Sequence, residues 1–150
     1  MRKLVQVVSF IIVLLLTACA RVPLTTSEQD AQAKQFNAPP KDQAGLYVYR
    51  EKHLGGQTLR KSISIDGEDI GSLVRGTYLY THLPAGKHQI STYSQFGKNH
   101  IELSMAGGKN YFVRQKLKMG IGFAGAELVE VSEAQGKKDI SSLKRVKTRY

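Results

Sequence analysis

The chain contains one cysteine, Cys19, so no intramolecular disulfide can form. Its stability must come from packing. It also lacks an apolar run long enough to cross a bilayer. Leu4 to Leu16 is mostly apolar, but Gln6 and Ser9 interrupt it. A helix of that length rises ~20 Å, short of the ~30 Å hydrocarbon core. Acidic residues are few: 12 Asp and Glu stand against 22 Lys and Arg, for a formal net charge of +10. Such a balance argues against a predominantly acidic surface.

What is present at the start is more telling. Arg2 and Lys3 precede the apolar stretch, and Leu16-Thr17-Ala18-Cys19 closes it. Two cations, a short apolar middle and small residues are the pattern of a removable leader. The segment resembles the signal of bacterial lipoproteins, in which the cysteine is lipidated and becomes the first residue after cleavage. That resemblance implies two or three acyl chains on Cys19, enough for firm anchoring where one chain holds weakly. Ala20 follows, where an aspartate tends to retain enterobacterial lipoproteins in the inner membrane. In a Gram-negative host this implies an outer-membrane location, facing the periplasm.

Removal of residues 1–18 takes away Arg2 and Lys3, lowers the charge from +10 to +8, and leaves enough chain for one domain with its own core. The remaining charge is uneven. Lys137, Lys138, Lys144, Arg145, Lys147 and Arg149 crowd the C-terminus, opposed there by Asp139 alone. Lys109, Arg114, Lys116 and Lys118 form a second group. An exported protein rarely meets nucleic acid, so none is expected as a partner. Anionic lipid, lipopolysaccharide phosphates or peptidoglycan carboxylates are the available anions, and Lys144, Arg145 and Lys147 are the candidate contacts. The plainer alternative is a solvated basic surface.

Residues 19–44 read as a lipidated tether. Ser27-Glu28-Gln29-Asp30 predicts a capped helix start, with Ser27 capping the amide of Asp30. The helix is expected to run to about Phe36, before Pro39-Pro40. From Gly45 onward, short β-prone runs alternate with turn residues. Strands are expected at 46–49, 61–65, 70–73, 76–80, 88–93, 101–105, 110–118 and 126–131. Asp66-Gly67 predicts a type I′ hairpin, which requires positive φ at both central positions. Pro84-Ala85-Gly86 predicts another turn, with the following strand pairing across it. In 110–118, Tyr111, Val113 and Leu117 take one face; Phe112, Arg114, Lys116 and Lys118 take the other, expected to meet solvent. Ser132 to Leu143 predicts a short helix, weakened by Gly136. The fold class is therefore all-β: an antiparallel β-sandwich of about seven strands, with a short helix at the N-terminus and another at the C-terminus. The domain is expected over 45–136, followed by a basic tail at 137–150.

Three stretches carry a family resemblance: Tyr47-Val48-Tyr49-Arg50; Ile63-Ser64-Ile65-Asp66-Gly67 with Gly71; and Gly76-Thr77-Tyr78-Leu79-Tyr80 leading to Leu83-Pro84-Ala85-Gly86-Lys87-His88. Together they resemble the bacterial lipoprotein family termed domain of unknown function 2846. Glu127-Leu128-Val129 and Glu133-Ala134-Gln135-Gly136 are similar to its closing segment, so the likeness covers about 45–141. It implies a compact β-rich domain on a lipid tether and brings no catalytic residue. The hairpin and the turn before His88 are also similar to small envelope modules named for a Pro-Glu-Gly-Ala motif, which is absent here.

Gly120-Ile121-Gly122-Phe123-Ala124-Gly125 matches the dinucleotide pattern G-x-G-x-x-G. That mechanism needs a following helix and an acid about twenty residues on. Ala126 to Val131 suits a strand instead, and Asp139 comes too early, so no nucleotide and no cofactor is expected. His82 and His88 flank the Pro84–Gly86 turn, but with His53 and His100 they do not make a zinc set, and no metal is expected. No serine sits in a strand–turn–helix nucleophile setting. Asp66, Glu68 and Asp69 are acids at a hairpin end, the usual place of a solvated turn, rather than a glycosidase pair. Tyr47, Tyr49, Tyr78, Tyr80, Tyr93 and Tyr111 fit a core with hydroxyls at its rim better than an aromatic binding face. The sequence thus predicts a non-catalytic, lipid-anchored envelope lipoprotein that binds protein or cell-wall partners. The alternatives are a small periplasmic inhibitor or exclusion factor, or a peptidoglycan-acting enzyme. Inhibition of basic lysozymes would call for an acidic surface, which this charge opposes.

Overall fold

In the structure, a computed structural model, residues 22–53, 56, 59–93, 99–119 and 124–149 are described. Residues 1–21, Cys19 and Ala20 among them, lie outside that set, as do Gly120 to Phe123. Among the described residues no helix is long and apolar enough to cross a membrane.

The alternating runs become strands: β1 (Gln43–Arg50), β2 (Lys61–Ile65), β3 (Glu68–Leu73), β4 (Thr77–Pro84), β5 (Gly86–Thr92), β6 (His100–Met105), β7 (Asn110–Met119), β8 (Ala124–Val131) and β9 (Lys144–Arg145). Helix α1 (Ser27–Ala33) precedes them, and α2 (Glu133–Ile140) lies between β8 and β9. Two sheets form. One has the order β8-β7-β1-β4-β9, the other β3-β2-β5-β6. The described residues are mainly β and form a sandwich of about nine strands rather than seven. It is also not wholly antiparallel, because β1 pairs parallel with β7 and β4 pairs parallel with β9.

The Asp66-Gly67 turn takes the expected form, with φ of 51° and 90°, and joins β2 to β3. The Pro84–Gly86 turn does not make a hairpin. β4 belongs to the five-stranded sheet and β5 to the four-stranded one, so the turn carries the chain from one sheet to the other. β4 pairs with β1 and β9, and β5 pairs with β2 and β6.

β1 is buried from Ala44 to Arg50, on both faces. Its aliphatic side chains Leu46 and Val48 point between the sheets. There they join Leu79, Val113 and Leu128 against Ile63, Ile65, Ile70, Leu73, Ile90, Leu103 and Met105. Its aromatic side chains Tyr47 and Tyr49 point the other way. With Tyr78 and Phe112 they form a second core, closed by Ala33 of α1 and by Ile140 and Leu143. The architecture is therefore three layers: helices, sheet, sheet. Burying a Phe or Tyr ring of this kind is worth roughly 3–5 kcal/mol against truncation.

Each tyrosine hydroxyl fastens a helix. Tyr47 donates to the Ala33 carbonyl at 2.8 Å, Tyr78 to Asp30 Oδ1 at 2.7 Å and Tyr49 to Asp139 Oδ2 at 2.6 Å. Burial is the main force pushing all three phenols above their ordinary range; the neighbouring acid adds to it for Tyr49 and Tyr78.

α1 starts one residue earlier than Ser27 as a cap would place it. Thr26 is the cap, accepting from the Gln29 amide while Gln29 Oε1 accepts from the Thr26 amide. Asp30 is committed elsewhere, to Tyr78, to Lys34 and to the Arg145 amide at 3.1 Å. The helix ends at Ala33, and Phe36 lies beyond it with φ of 53°.

Phe112 was expected on a solvent face with Arg114, Lys116 and Lys118. It is 1% exposed, because α2 covers the start of β7. Lys116 and Lys118, farther along, are exposed. The segments at both ends are part of the packed domain. The 136/137 boundary falls inside α2, and Ile140, Leu143 and Val146 are buried. Leu24 bridges Val146, so the first described residues lie antiparallel to the last strand.

Candidate functional site

The chain enters the described structure at Val22 and is held at once. Thr25 donates its amide to the Arg145 carbonyl at 3.0 Å, and the Lys147 amide donates to the Pro23 carbonyl at 2.8 Å. Beside this junction lies a groove of ≈ 600 Å³, lined by Val22, Leu24, Lys52, Val74, Arg75, Gly76, Thr77 and Lys144. Its apolar part comes from Val22, Leu24 and Val74. Leu24 is 42% exposed, one of two large hydrophobic side chains reaching the surface among the described residues. Its rim is cationic.

The turn between β3 and β4 builds that rim. Gly76 has φ of 76°, in the left-handed region where a side chain is strained. A Cβ there would come within 3.1 Å of Lys52 Cγ, so the glycine leaves room for the lysine stem. Arg75 reaches back and donates to the Lys52 carbonyl at 3.1 Å. Its Nε is buried without a partner, as are those of Arg114 and Arg145. Lys144 is placed by its amide, which donates to the Gly76 carbonyl at 3.1 Å. Among the described residues no ion pair engages Lys52, Arg75 or Lys144; nearby Glu51 is taken by His53 and Arg114.

The three C-terminal cations named from the sequence differ in setting. Lys144 is exposed on the groove rim and Lys147 is exposed. Arg145 turns inward. Its guanidinium donates to the Gln29 and Tyr80 carbonyls, each at 3.2 Å, and lies 5.1 Å from the Tyr80 ring centroid. It ties α1 to β4, so its removal would cost packing as well as charge. Lys52 and Arg75 were not legible as candidates. They are single cations far apart in sequence from Lys144, and β4–β9 pairing brings them together.

His82 and His88 line one cleft with Asp66 and Glu68. Their bonds diverge. His82 Nε2 meets the Tyr80 hydroxyl at 2.6 Å. His88 has an acceptor at each nitrogen: Asp66 Oδ2 at 2.6 Å from Nδ1, and the Pro84 carbonyl at 2.8 Å from Nε2. Only the imidazolium can donate to both. Burial opposes that charge, but Asp66 and Pro84 outweigh it and raise the His88 pKa. The bond from His88 in turn holds Asp66 below the usual carboxylate range. This pair fastens the β2–β3 hairpin to the sheet-crossing turn. Among the described residues no group of three or more His, Cys, Asp or Glu is placed to hold a metal ion.

Tyr47, Tyr49 and Tyr78 are core residues, and Tyr80 and Tyr111 are partly buried against the two cores. Tyr93 is 60% exposed. Tyr80 stacks on Tyr47 with ring centroids 4.2 Å apart at the wall of a smaller cleft. Of the glycine-rich segment, Ala124 and Gly125 lie in β8, with Gly125 opposite Lys118. A strand follows the glycines, as expected, and not the helix that a dinucleotide site needs.

A family model described as protein of unknown function (DUF2846) matches residues 40–126. The chain belongs to this family. The match starts ahead of β1 and stops in β8, so the closing segment at 127–136 lies beyond it. An uncharacterized protein of Haemophilus influenzae is similar, with 43% identity over 132 residues, covering 88% of this chain and 78% of the relative. No solved structure matches. Within this DUF2846 chain, the family match takes in Lys52, Val74, Arg75, Gly76 and Thr77 of the groove, while Val22, Leu24 and Lys144 lie outside it.

Proposed function

We propose that this protein is a non-catalytic lipoprotein of the bacterial cell envelope. It is anchored by acyl chains on Cys19 in the outer membrane, faces the periplasm, and presents a β-sandwich that binds protein or cell-wall partners. The observation that carries this reading is the leader ending in Leu16-Thr17-Ala18-Cys19. The position of the fold supports it: Val22 lies three residues from Cys19. Three residues span at most about 10 Å, so an anchor at Cys19 would hold the domain against the lipid surface.

In-cell crosslinking followed by affinity purification tests the binding role. The expected result is one recurrent envelope protein, or peptidoglycan fragments, retained by wild type. Hydrolysis of isolated cell wall by the purified protein would overturn the non-catalytic reading.

A further inference from the structure

We infer that the groove between Val22, Leu24 and the β3–β4 turn is the face that rests on the membrane, and that Lys52, Arg75 and Lys144 bind phosphates of anionic phospholipid head groups there. The inference rests on the proposed anchor at Cys19 and adds an orientation and a ligand class to it. Three observations converge. The groove contains Val22, the described residue nearest Cys19. Its three cations have no carboxylate partner among the described residues, although Asp30, Glu51, Asp66, Asp69, Glu102, Glu127 and Glu133 are each paired with a cation or histidine. Its floor is apolar, with Leu24 at 42% exposure.

These parts suit a lipid surface. Phosphate oxygens supply acceptors for Lys52, Lys144 and the Arg75 guanidinium. Val22, Leu24 and Val74 would meet the boundary between head groups and acyl chains, where exposed apolar side chains cost less than in water. A cation held near an anionic bilayer contributes roughly fivefold in affinity, and the effect falls off within a Debye length of ~8 Å. The reach of at most about 10 Å from Cys19 to Val22 brings the groove close to that distance.

The chain has no tryptophan, so a single Val74→Trp gives an unambiguous probe of depth. The full mature lipoprotein is reconstituted into phosphatidylcholine vesicles with and without 30% phosphatidylglycerol, using bromine-labelled acyl chains as quenchers. His100→Trp, on β6 of the other sheet, is the control. Flotation with neutral vesicles reads the anchor alone; quenching reads the orientation. The expected result is flotation of both, with quenching at position 74 well above that at position 100, and more so with phosphatidylglycerol. A second variant, Lys52→Gln with Arg75→Gln and Lys144→Gln, leaves Val74 intact. In an unacylated chain that begins at Ala20, without residues 1–19, it should reduce binding to anionic vesicles at least tenfold, as should 0.5 M salt. Flotation with equal quenching at both positions would overturn this orientation while leaving the anchor in place. Failure to float on neutral vesicles, with anionic binding still lost in the triple variant, would overturn the anchor and leave the groove's ligand in place. Unchanged vesicle binding by the triple variant, with peptidoglycan binding lost, would replace lipid by cell wall and refute the inference.

Discussion

Gly136→Ala separates local helix propensity from packing, because the two give opposite signs. In an exposed helix, Gly to Ala stabilises by about 1 kcal/mol. Gly136 is instead the point where α2 touches β7. A Cβ placed there would lie 2.5 Å from Phe112 Cβ and closer still to Cγ and Cδ1. The Phe112 ring cannot swing away: it is 1% exposed and stacks on Tyr47 with centroids 4.9 Å apart. Its Cβ moves only with the β7 backbone. The helix must therefore lift, which loosens Ile140, Leu143 and the Tyr49–Asp139 bond together. Overpacking of this kind costs about 1–3 kcal/mol, and three close atoms put it near the upper end. Subtracting the propensity gain leaves a net loss of about 2 kcal/mol. For a domain of this size that lowers Tm by about 8 °C. Urea unfolding of the mature chain, with an unchanged m-value, measures it. An unchanged or higher midpoint would refute the close helix–sheet contact.

Gly67→Val should destabilise by about 1 kcal/mol or more through backbone strain alone, since φ is 90° and nothing lies within 4 Å of the added Cβ; an unchanged thermal midpoint would contradict the type I′ turn. The Asp66–His88 pair should give a defined pH dependence. His88 has a raised pKa in the fold, so its contribution is complete below the unfolded value of about 6.5 and is lost as pH rises through the folded one. Asp66 is lowered, so its contribution is present above about 3.9 and is lost as pH falls through the folded value. The pair therefore contributes most between about pH 4 and 6.5. NMR titration should show His88 above the ordinary histidine value, and Asp66→Asn should bring it down; an unshifted His88 would sink the assignment of the imidazolium.

Local chemistry made most of the strands legible. Ile63 and Ile65 alternate with serines, Leu103 and Met105 with Glu102 and Ser104, and the Asp66-Gly67 turn declares itself by its two residues. Partner choice did not. The parallel β1–β7 and β4–β9 pairs join segments distant in sequence, and neither segment carries a sign of its neighbour. The Pro84–Gly86 turn has hairpin composition, yet a sheet crossing uses the same residues. β7 misled because burial changes along its length: Phe112 lies under α2, while Lys116 and Lys118 on the same face do not. The helices that cover the tyrosines have small apolar faces, with Ala33 and Ile140 as their main buried side chains, so their docking could not be read from periodicity. The groove residues were hidden for the same reason, since Lys52, Arg75 and Lys144 meet only through tertiary pairing.

The account rests on the lipid at Cys19, and mass spectrometry of the mature N-terminus in membranes from labelled cells tests it most directly. The expected wild-type chain begins at Cys19, carries two or three acyl chains, incorporates palmitate and fractionates with the outer membrane. Cys19→Ala should accumulate as the uncleaved precursor without label. A Cys19→Ala chain that still matures and sediments with the outer membrane, or a wild-type N-terminus with no acyl mass, would contradict it.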